Sequence, residues 1–585
     1  MTTASTSRAR EIVEGMTLDE RIGLLLHPMI MVGDNPDPDA SAGFGGPTFR
    51  ELIVDHGLRF FCLGRIPSPE RTAAFLRELQ GISRSNGSRL PAVFSTDPRH
   101  AFLQNDGAAH TAAGLSQWPE NLGLGAIGDA DLVRRYAETV RRDYRAMGIR
   151  MALHPQIDLA TEPRWARQAQ SFGSDPETTS RLVVAFLEGL QGPRLDGTSV
   201  AATVKHFPGG GPQLDGEDPH FPYGREQVYP AGRFDDHLAP FRAAIAAGAA
   251  AIMPYYGMPV GLVIDGEPVE PVGFSFNRRI ITGLLRDELG FDGVVLTDFG
   301  LVTDIEVAGK PFPARAWGVE ELSPLERLCR LFEAGVDQLG GESDTRLIRE
   351  AVDSGRLDPG RLAESALRLV RLMVELELVD GDLGGEDAPG ADRLPRPDDV
   401  ALGREAQARA VTILTNRANG TTAAPFLPVR GDARVHLVGV AEAALPPGWR
   451  AADAEAADFA VVRVASPFEY RDHFFLESGM QQGSLEFGAD EIDRVLALAR
   501  RLPVVLVVTL NRPAILTPFA GEVAALVGEF GAADDVLLAV LAGRADAQGA
   551  LPFDLPRDMA SVAASAPDAP DDTPDPLFRA GHPRR

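Results

Sequence analysis

Cysteine is nearly missing: Cys62 and Cys329 are the only two in 585 residues. That count excludes a disulfide framework and a cysteine-based zinc site. Long apolar runs are missing too, and none reaches the roughly 18 residues needed to cross a bilayer. The N-terminal MTTASTSRAREIVEGM has no apolar stretch of signal-peptide type, so the expected compartment is the cytoplasm. Basic residues are outnumbered, 57 Lys plus Arg against 83 Asp plus Glu, for a net charge of −26 with no long Lys/Arg run. A chain this acidic is repelled by nucleic acids and anionic membranes. Neither is expected as a partner; a neutral or cationic small molecule is. No internal repeat is visible, and oligomeric state has no signature in the sequence.

What is present is globular composition, 44% hydrophobic and 24% charged, in a chain long enough for two domains. Thr17-Leu18-Asp19-Glu20 is a capping box opening a helix. Near-continuous apolar strands are expected at 58–64, 91–97, 151–158, 199–207, 249–256, 293–299 and 334–341, with helical patterns between them. One such helix carries Leu132, Tyr136, Val140 and Met147 on one face and stops at Gly148. This rhythm predicts an α/β chain that begins as a (β/α)₈ TIM-like barrel over 1–380. A Gly/Pro/Asp-rich linker is expected at 381–400. The strand–helix rhythm restarts as a smaller α/β sandwich domain over 401–556, and 557–585 reads as a surface tail or a partly disordered segment.

Catalytic residues of such barrels lie at the C-terminal ends of the strands. Asp97 follows VFST, Lys205 and His206 follow AATV, Tyr255 and Tyr256 follow AAIMP, and Asp298 follows GVVLT. One such residue is explained by a helix cap or a loop ion pair; four strands ending this way argue for a site. Carboxyl and basic groups around a cavity suit glycosidic bond cleavage, which needs two carboxyl groups flanking the bond and partners for sugar hydroxyls. Lys205 and His206, as sequence neighbours, should face opposite sides of a regular strand. Serving one ligand together requires a kink, and Phe207-Pro208 offers either a cis peptide or an ordinary trans strand end.

Three stretches carry a resemblance: VKHFPGGG at 204–211, GFDGVVLTDFG at 290–300 and ATEPRWARQAQSFGSDP at 160–176. Together with MTLDERIGLLLH, LSQWPENLGL, MPYYGMP, LPFDLP and DPLFRAGH they resemble glycoside hydrolase family 3 of the β-glucosidase type, over nearly the whole chain. The resemblance implies Asp298 as nucleophile, with Phe299 where the family usually has Trp. It implies Asp97, Lys205, His206 and Arg167 as sugar-holding residues, Arg164 as support for Arg167, and Met253 and Tyr256 as the M-x-x-Y pair near the nucleophile. The family's acid/base comes from a variable second-domain loop. In SPFEYRDHFFLESGMQQGSLEF the better match is Glu469, with Glu477 second, and Phe468, Phe474 and Phe475 are expected to supply apolar surroundings that raise its pKa. The N-acetylglucosaminidase branch instead uses a His–Asp pair after KHFPG. Asp215, Asp218 and His220 lie there, at longer spacing, and Gly210 stands in place of that branch's usual His.

The implied activity is that of an exo-acting retaining β-glycosidase, most simply a β-glucosidase acting on a carbohydrate or glycosylated small molecule, without cofactor or metal. β-Xylosidase, β-N-acetylglucosaminidase and phosphorylase-like activities are the alternatives within the family. A sugar-binding protein without catalysis is the alternative outside it. Gly123–Gly128 matches G-x-G-x-x-G, but no strand precedes it, and Gly209-Gly210-Gly211 lacks the Gly-Lys-Ser/Thr of a P-loop. No H-E-x-x-H occurs.

Overall fold

The structure, a computed structural model, describes residues 3–43, 46–103, 112–381, 390–417 and 424–583. Residues 382–389 of the expected linker therefore lie outside the described residues. The helix Pro397–Ala410 already begins within its last residues.

The first part is mixed α/β around a parallel sheet. Seven strands run in the order Val294–Val295, Ala251–Pro254, Ala201–Phe207, Met151–Ala152, Val93–Thr96, Phe60–Arg65 and Met29–Met31, each paired in parallel with the next. Leu26–His27 pairs in parallel with Leu339–Gly340, and Leu296 bridges in parallel to Gln338. Leu26–His27, which the sequence pattern places at the end of the helix opened by the capping box, and Met29–Met31, which it leaves unassigned, are thus strand. The Ala201–Phe207 strand is buried along its whole length, as a run of apolar residues covered on both faces must be.

Local signals act as their chemistry predicts. Thr17 and Glu20 close a reciprocal capping box. Asp129 caps the helix Ala130–Met147 by accepting from the Leu132 N–H, and Gly148 ends it in the left-handed conformation. The G-x-G-x-x-G stretch is the helix Asn121–Ile127. A Cβ on Gly125 would fall 1.8 Å from the Phe172 carbonyl oxygen, so this glycine serves close packing rather than a phosphate.

The second part is a six-stranded sheet in the order Thr412–Asn416, Ala525–Glu529, Val504–Thr509, Phe459–Ala465, Ala433–Val438 and Trp449–Ala451. The first pair is antiparallel and the others parallel. Strand Val504–Thr509 sends Val504, Leu506 and Val508 into one apolar cluster and Val505 and Val507 into another, so both faces of the sheet are covered. The two parts meet where Glu120 N–H donates to Phe530 O and Ser174 N–H to Pro552 O.

The C-terminal stretch, described to residue 583, lies along the surface and packs against the rest of the chain. Leu555 bridges Phe578, Met559–Ala564 is helical, and Asp568 is fully buried against the first part. Its few apolar residues are used: Val562 packs with Leu485 and Ile515, and Leu577 and Phe578 lie against the second part's core, while carboxylates and backbone groups supply the remaining ties. Among the described residues no helix is long and apolar enough to cross a membrane.

Candidate active site

The strand ends converge. Lys205 Nζ donates to Asp97 Oδ1 at 2.7 Å, both side chains nearly buried. His206 turns to the same side: the pairing register shifts between Lys205 and Phe207, and the Lys205–His206 and Phe207–Pro208 peptide bonds are both cis. The kink expected from the sequence is present, with a cis bond at Phe207–Pro208 and a second one two bonds earlier.

His206 Nδ1 lies 2.8 Å from Asp158 Oδ2, and Asp158 Oδ1 accepts from the His206 N–H at 3.1 Å and the Gly210 N–H at 2.5 Å. The other ring nitrogen, Nε2, is 3.7 Å from Asp298 Oδ2 and has no hydrogen-bond partner. Burial, then the charges of Arg167 and Lys205, pull the His206 imidazole well below its ordinary pKa. Burial pushes the Asp158 carboxyl up to about 7. Asp158 was not singled out from the sequence. Its signal was present: like Asp97 and Asp298, it closes an apolar strand pattern, MALHPQID.

Asp298 holds the Phe299 N–H through Oδ1 at 2.8 Å, and Tyr256 donates to the Phe299 carbonyl at 2.7 Å. Burial, then the Asp298 charge, keep the Tyr256 phenol well above its ordinary pKa, so it is a donor. Arg315, also missed in the sequence, is buried with its guanidinium 5.4 Å from the Tyr256 ring centre. Arg167 is buried with Nε unpartnered. Burial works against its charge, but Tyr255 and the carboxylates of Asp218, Asp298 and Asp158 outweigh that and raise its pKa. Tyr255 packs its ring 4.8 Å from that of His206, and Trp165 Nε1 donates to its hydroxyl.

Other expected residues have different surroundings. Arg164 forms a two-pronged pair with Glu162, at 2.8 and 3.1 Å, and braces the loop that carries Arg167. Met253 is buried within its strand, and Phe299 is partly buried against the core.

The apolar environment expected for Glu469 is not there. Its side chain is 52% exposed, and it accepts from the Ser484 N–H at 3.1 Å and from Arg471 at 3.0 Å. These two contacts, in that order, hold its carboxyl below the usual range rather than above it. Phe474 and Phe475 turn elsewhere, onto Phe221 and Phe312. Glu477 is buried and fully engaged, accepting from Tyr223 OH and from the His473 and Phe474 N–H groups. His220, by contrast, is buried with Nδ1 2.6 Å from Asp218 Oδ1, and its ring centre lies 4.8 Å from that of Tyr256.

Among the described residues no group of three or more His, Cys, Asp or Glu side chains is arranged to hold a metal ion. The arrangement is a buried cluster with the Asp298 carboxylate, one donor phenol, two guanidiniums, an ammonium–carboxylate pair and an imidazole acceptor. It can hold several hydroxyl groups at once and present Asp298 to an electrophilic carbon.

Residues 47–372 match the family model described as the glycosyl hydrolase family 3 N terminal domain. The chain is 42% identical over 579 residues to beta-glucosidase C of Emericella nidulans, covering 98% of this chain and 91% of that protein. It is 36% identical over 597 residues to the periplasmic beta-glucosidase/beta-xylosidase of Dickeya chrysanthemi, covering 98% and 89%. A beta-glucosidase structure from Erythrobacter marinus superposes with a TM-score of 0.79 at 20% identity, covering 99% of this chain and 82% of that one.

Proposed function

The chain belongs to glycosyl hydrolase family 3 and is a glycosidase of the beta-glucosidase kind, and from that premise we propose that it is exo-acting and retaining, with Asp298 as nucleophile. The observation that carries this is the convergence of His206, Tyr256 and Arg167 on the Asp298 carboxylate, beside the buried Lys205–Asp97 pair. Asp298 attacks the anomeric carbon as the glycosidic bond breaks, giving a glycosyl-enzyme that water then hydrolyses. Asp97, Lys205, His206 and Arg167 hold the hydroxyls of one terminal sugar, which is the basis of the exo mode. The neutral imidazole of His206, donating Nδ1–H to Asp158, keeps Nε2 as acceptor for a hydroxyl.

The proton donor in this reading is Glu469, on a loop tied to the rim of the site. Arg471 bridges Glu469 to Glu217, the residue before Asp218. A second reading, favoured by the buried His220–Asp218 pair against Tyr256, gives that role to His220. The layout that goes with this function is a (β/α)₈ TIM-like barrel over 1–380, a linker at 381–400, a sandwich domain over 401–556 and a C-terminal tail over 557–585. The parallel pairing that returns through Leu339–Gly340 supports the closure.

The test is a panel of nitrophenyl glycosides. The β-glucoside should be turned over fastest and the β-xyloside more slowly, with the α-glucoside inert and the sugar released first as the β-anomer. Release of the α-anomer would overturn the retaining mechanism, and a preference for the N-acetylglucosaminide would overturn the assignment of the sugar.

A further inference from the structure

We propose that Arg512 is a positioning residue for proton transfer: it locks the second domain's loop onto the sugar site so that the donor meets the glycosidic oxygen. The inference rests on the glycosidase reading above and holds for either proton donor.

Arg512 follows the Val504–Thr509 strand and is fully buried. Its guanidinium makes five hydrogen bonds, all to main-chain carbonyls. Nη1 donates to Arg164 O at 2.7 Å and Gly483 O at 3.1 Å. Nη2 donates to Pro467 O at 2.7 Å, Gln482 O at 3.2 Å and Ser484 O at 3.0 Å. Pro467 and residues 482–484 are the two ends of the loop that carries Glu469 and Glu477. Arg164 belongs to the first domain's loop that carries Arg167. One cation therefore closes the loop on itself and fastens it to the sugar site.

Both candidate donors depend on the stretch that Arg512 holds. The Glu469 N–H donates to Gln482 O, and the Glu469 carboxylate accepts from the Ser484 N–H. On the other side, Gln482 Oε1 accepts from the Asp218 N–H at 3.1 Å, and Gln482 Nε2 donates to Tyr223 OH at 2.7 Å. Asp218 in turn holds His220. Burying a cation without a direct carboxylate partner is costly unless its donors are satisfied, and here both Nη groups are engaged while Nε has no partner. The planar fork of arginine can reach five carbonyls from one centre; the three donors of a lysine ammonium cannot. None of the five contacts involves Asp97, Lys205, His206, Asp298 or Arg167 itself; the one tie toward a sugar-holding group is the Arg164 carbonyl, on a loop that Arg164 braces separately through Glu162.

The experiment compares wild type, Arg512→Lys and Arg512→Met on β-glucosides graded by leaving group, from dinitrophenyl to alkyl. In parallel it measures the Ki of a glucose-configured inhibitor, with circular dichroism and melting to verify folding. A small displacement of a reacting group costs on the order of 100-fold. Arg512→Met should lose about that on alkyl glucosides, whose leaving groups need the proton, with little loss on the dinitrophenyl glucoside and an unchanged Ki. Arg512→Lys should recover part of the loss. If Arg512→Met does not fold, Arg512→Lys carries the test by the same steepened leaving-group dependence. Equal loss on every substrate with weakened inhibitor binding would reduce Arg512 to a structural role, and no loss would remove it altogether. Failure of the glycosidase reading is seen separately, as a wild-type enzyme inert on every aryl β-glycoside.

Discussion

His206 Nε2 stands 3.7 Å from Asp298 Oδ2 with no hydrogen-bond partner, because the other face of the ring is held by Asp158. A neutral imidazole locked in this tautomer is an acceptor, and in the proposed function it faces a sugar hydroxyl. Asp158→Asn should weaken a glucose-configured inhibitor by roughly 10- to 100-fold, the span of a hydrogen bond to a charged group. KM should move more than kcat. An unchanged Ki would mean that His206 is oriented by packing alone.

The nucleophile assignment predicts loss on substitution and chemical rescue. Asp298→Gly should lower kcat by roughly 10³-fold or more while the fold is retained. Azide should enter the vacated position and give a glycosyl azide of inverted configuration. Activity within a few fold of wild type would exclude Asp298 from the role.

Two residues compete for the proton, and the leaving-group dependence separates them. Loss of general acid catalysis costs about 10²–10⁴-fold on substrates with poor leaving groups and little on activated aryl glycosides. Glu469→Ala should show that pattern and flatten the alkaline limb of the pH profile. Should His220→Ala show it instead, the buried pair with Asp218 is the donor. Glu477→Ala should lower the melting temperature without steepening the leaving-group dependence, since Tyr223 and two backbone amides already engage its carboxylate.

Glu120 sits where the two sheet-bearing parts of the chain meet, and there burial first, then the nearby Glu529, push its carboxyl up to about 8. Its folded pKa lies above the ordinary value of 4.5, so between those limits the native state retains a proton that the unfolded chain releases. Its contribution is favourable at low pH and is lost as pH rises toward 8. Glu120→Gln keeps an acceptor for the Leu103 N–H and removes the titration. The variant should gain stability relative to wild type as pH rises from 5 to 8, by on the order of a few kcal/mol. Parallel melting curves across that range would contradict it.

Asp568 holds the C-terminal strap. Its carboxylate accepts from the Ala231 N–H at 3.0 Å and the Arg233 N–H at 2.8 Å, and its carbonyl accepts from His237. Asp568→Ala leaves two backbone donors unsatisfied and should destabilise the protein by about 2–4 kcal/mol. Limited proteolysis should then cut first within 557–583, with kcat of the remaining folded enzyme unchanged. Resistance equal to wild type would show that the strap is held mainly by other contacts.

Much of this protein was decided locally. Apolar strands covered on both faces write themselves as unbroken hydrophobic runs, and a polar residue closing such a run stands out, so Asp97, Lys205, His206 and Asp298 were legible from the chain alone. The capping box at Thr17 and the stop at Gly148 were legible for the same reason: their partners are three or four residues away. The environment of each group was decided only by the tertiary structure. Phenylalanines beside Glu469 in sequence promised an apolar pocket, but those side chains found Phe221 and Phe312, and Glu469 met Arg471 and the backbone of Ser484. Asp158 lies 48 residues from His206, and Arg512 lies 348 from Arg164. Burial and charge depend on what arrives from that far along the chain. Residue type says what a group can do, and the distant partners that fold against it decide its protonation state, its orientation and its role.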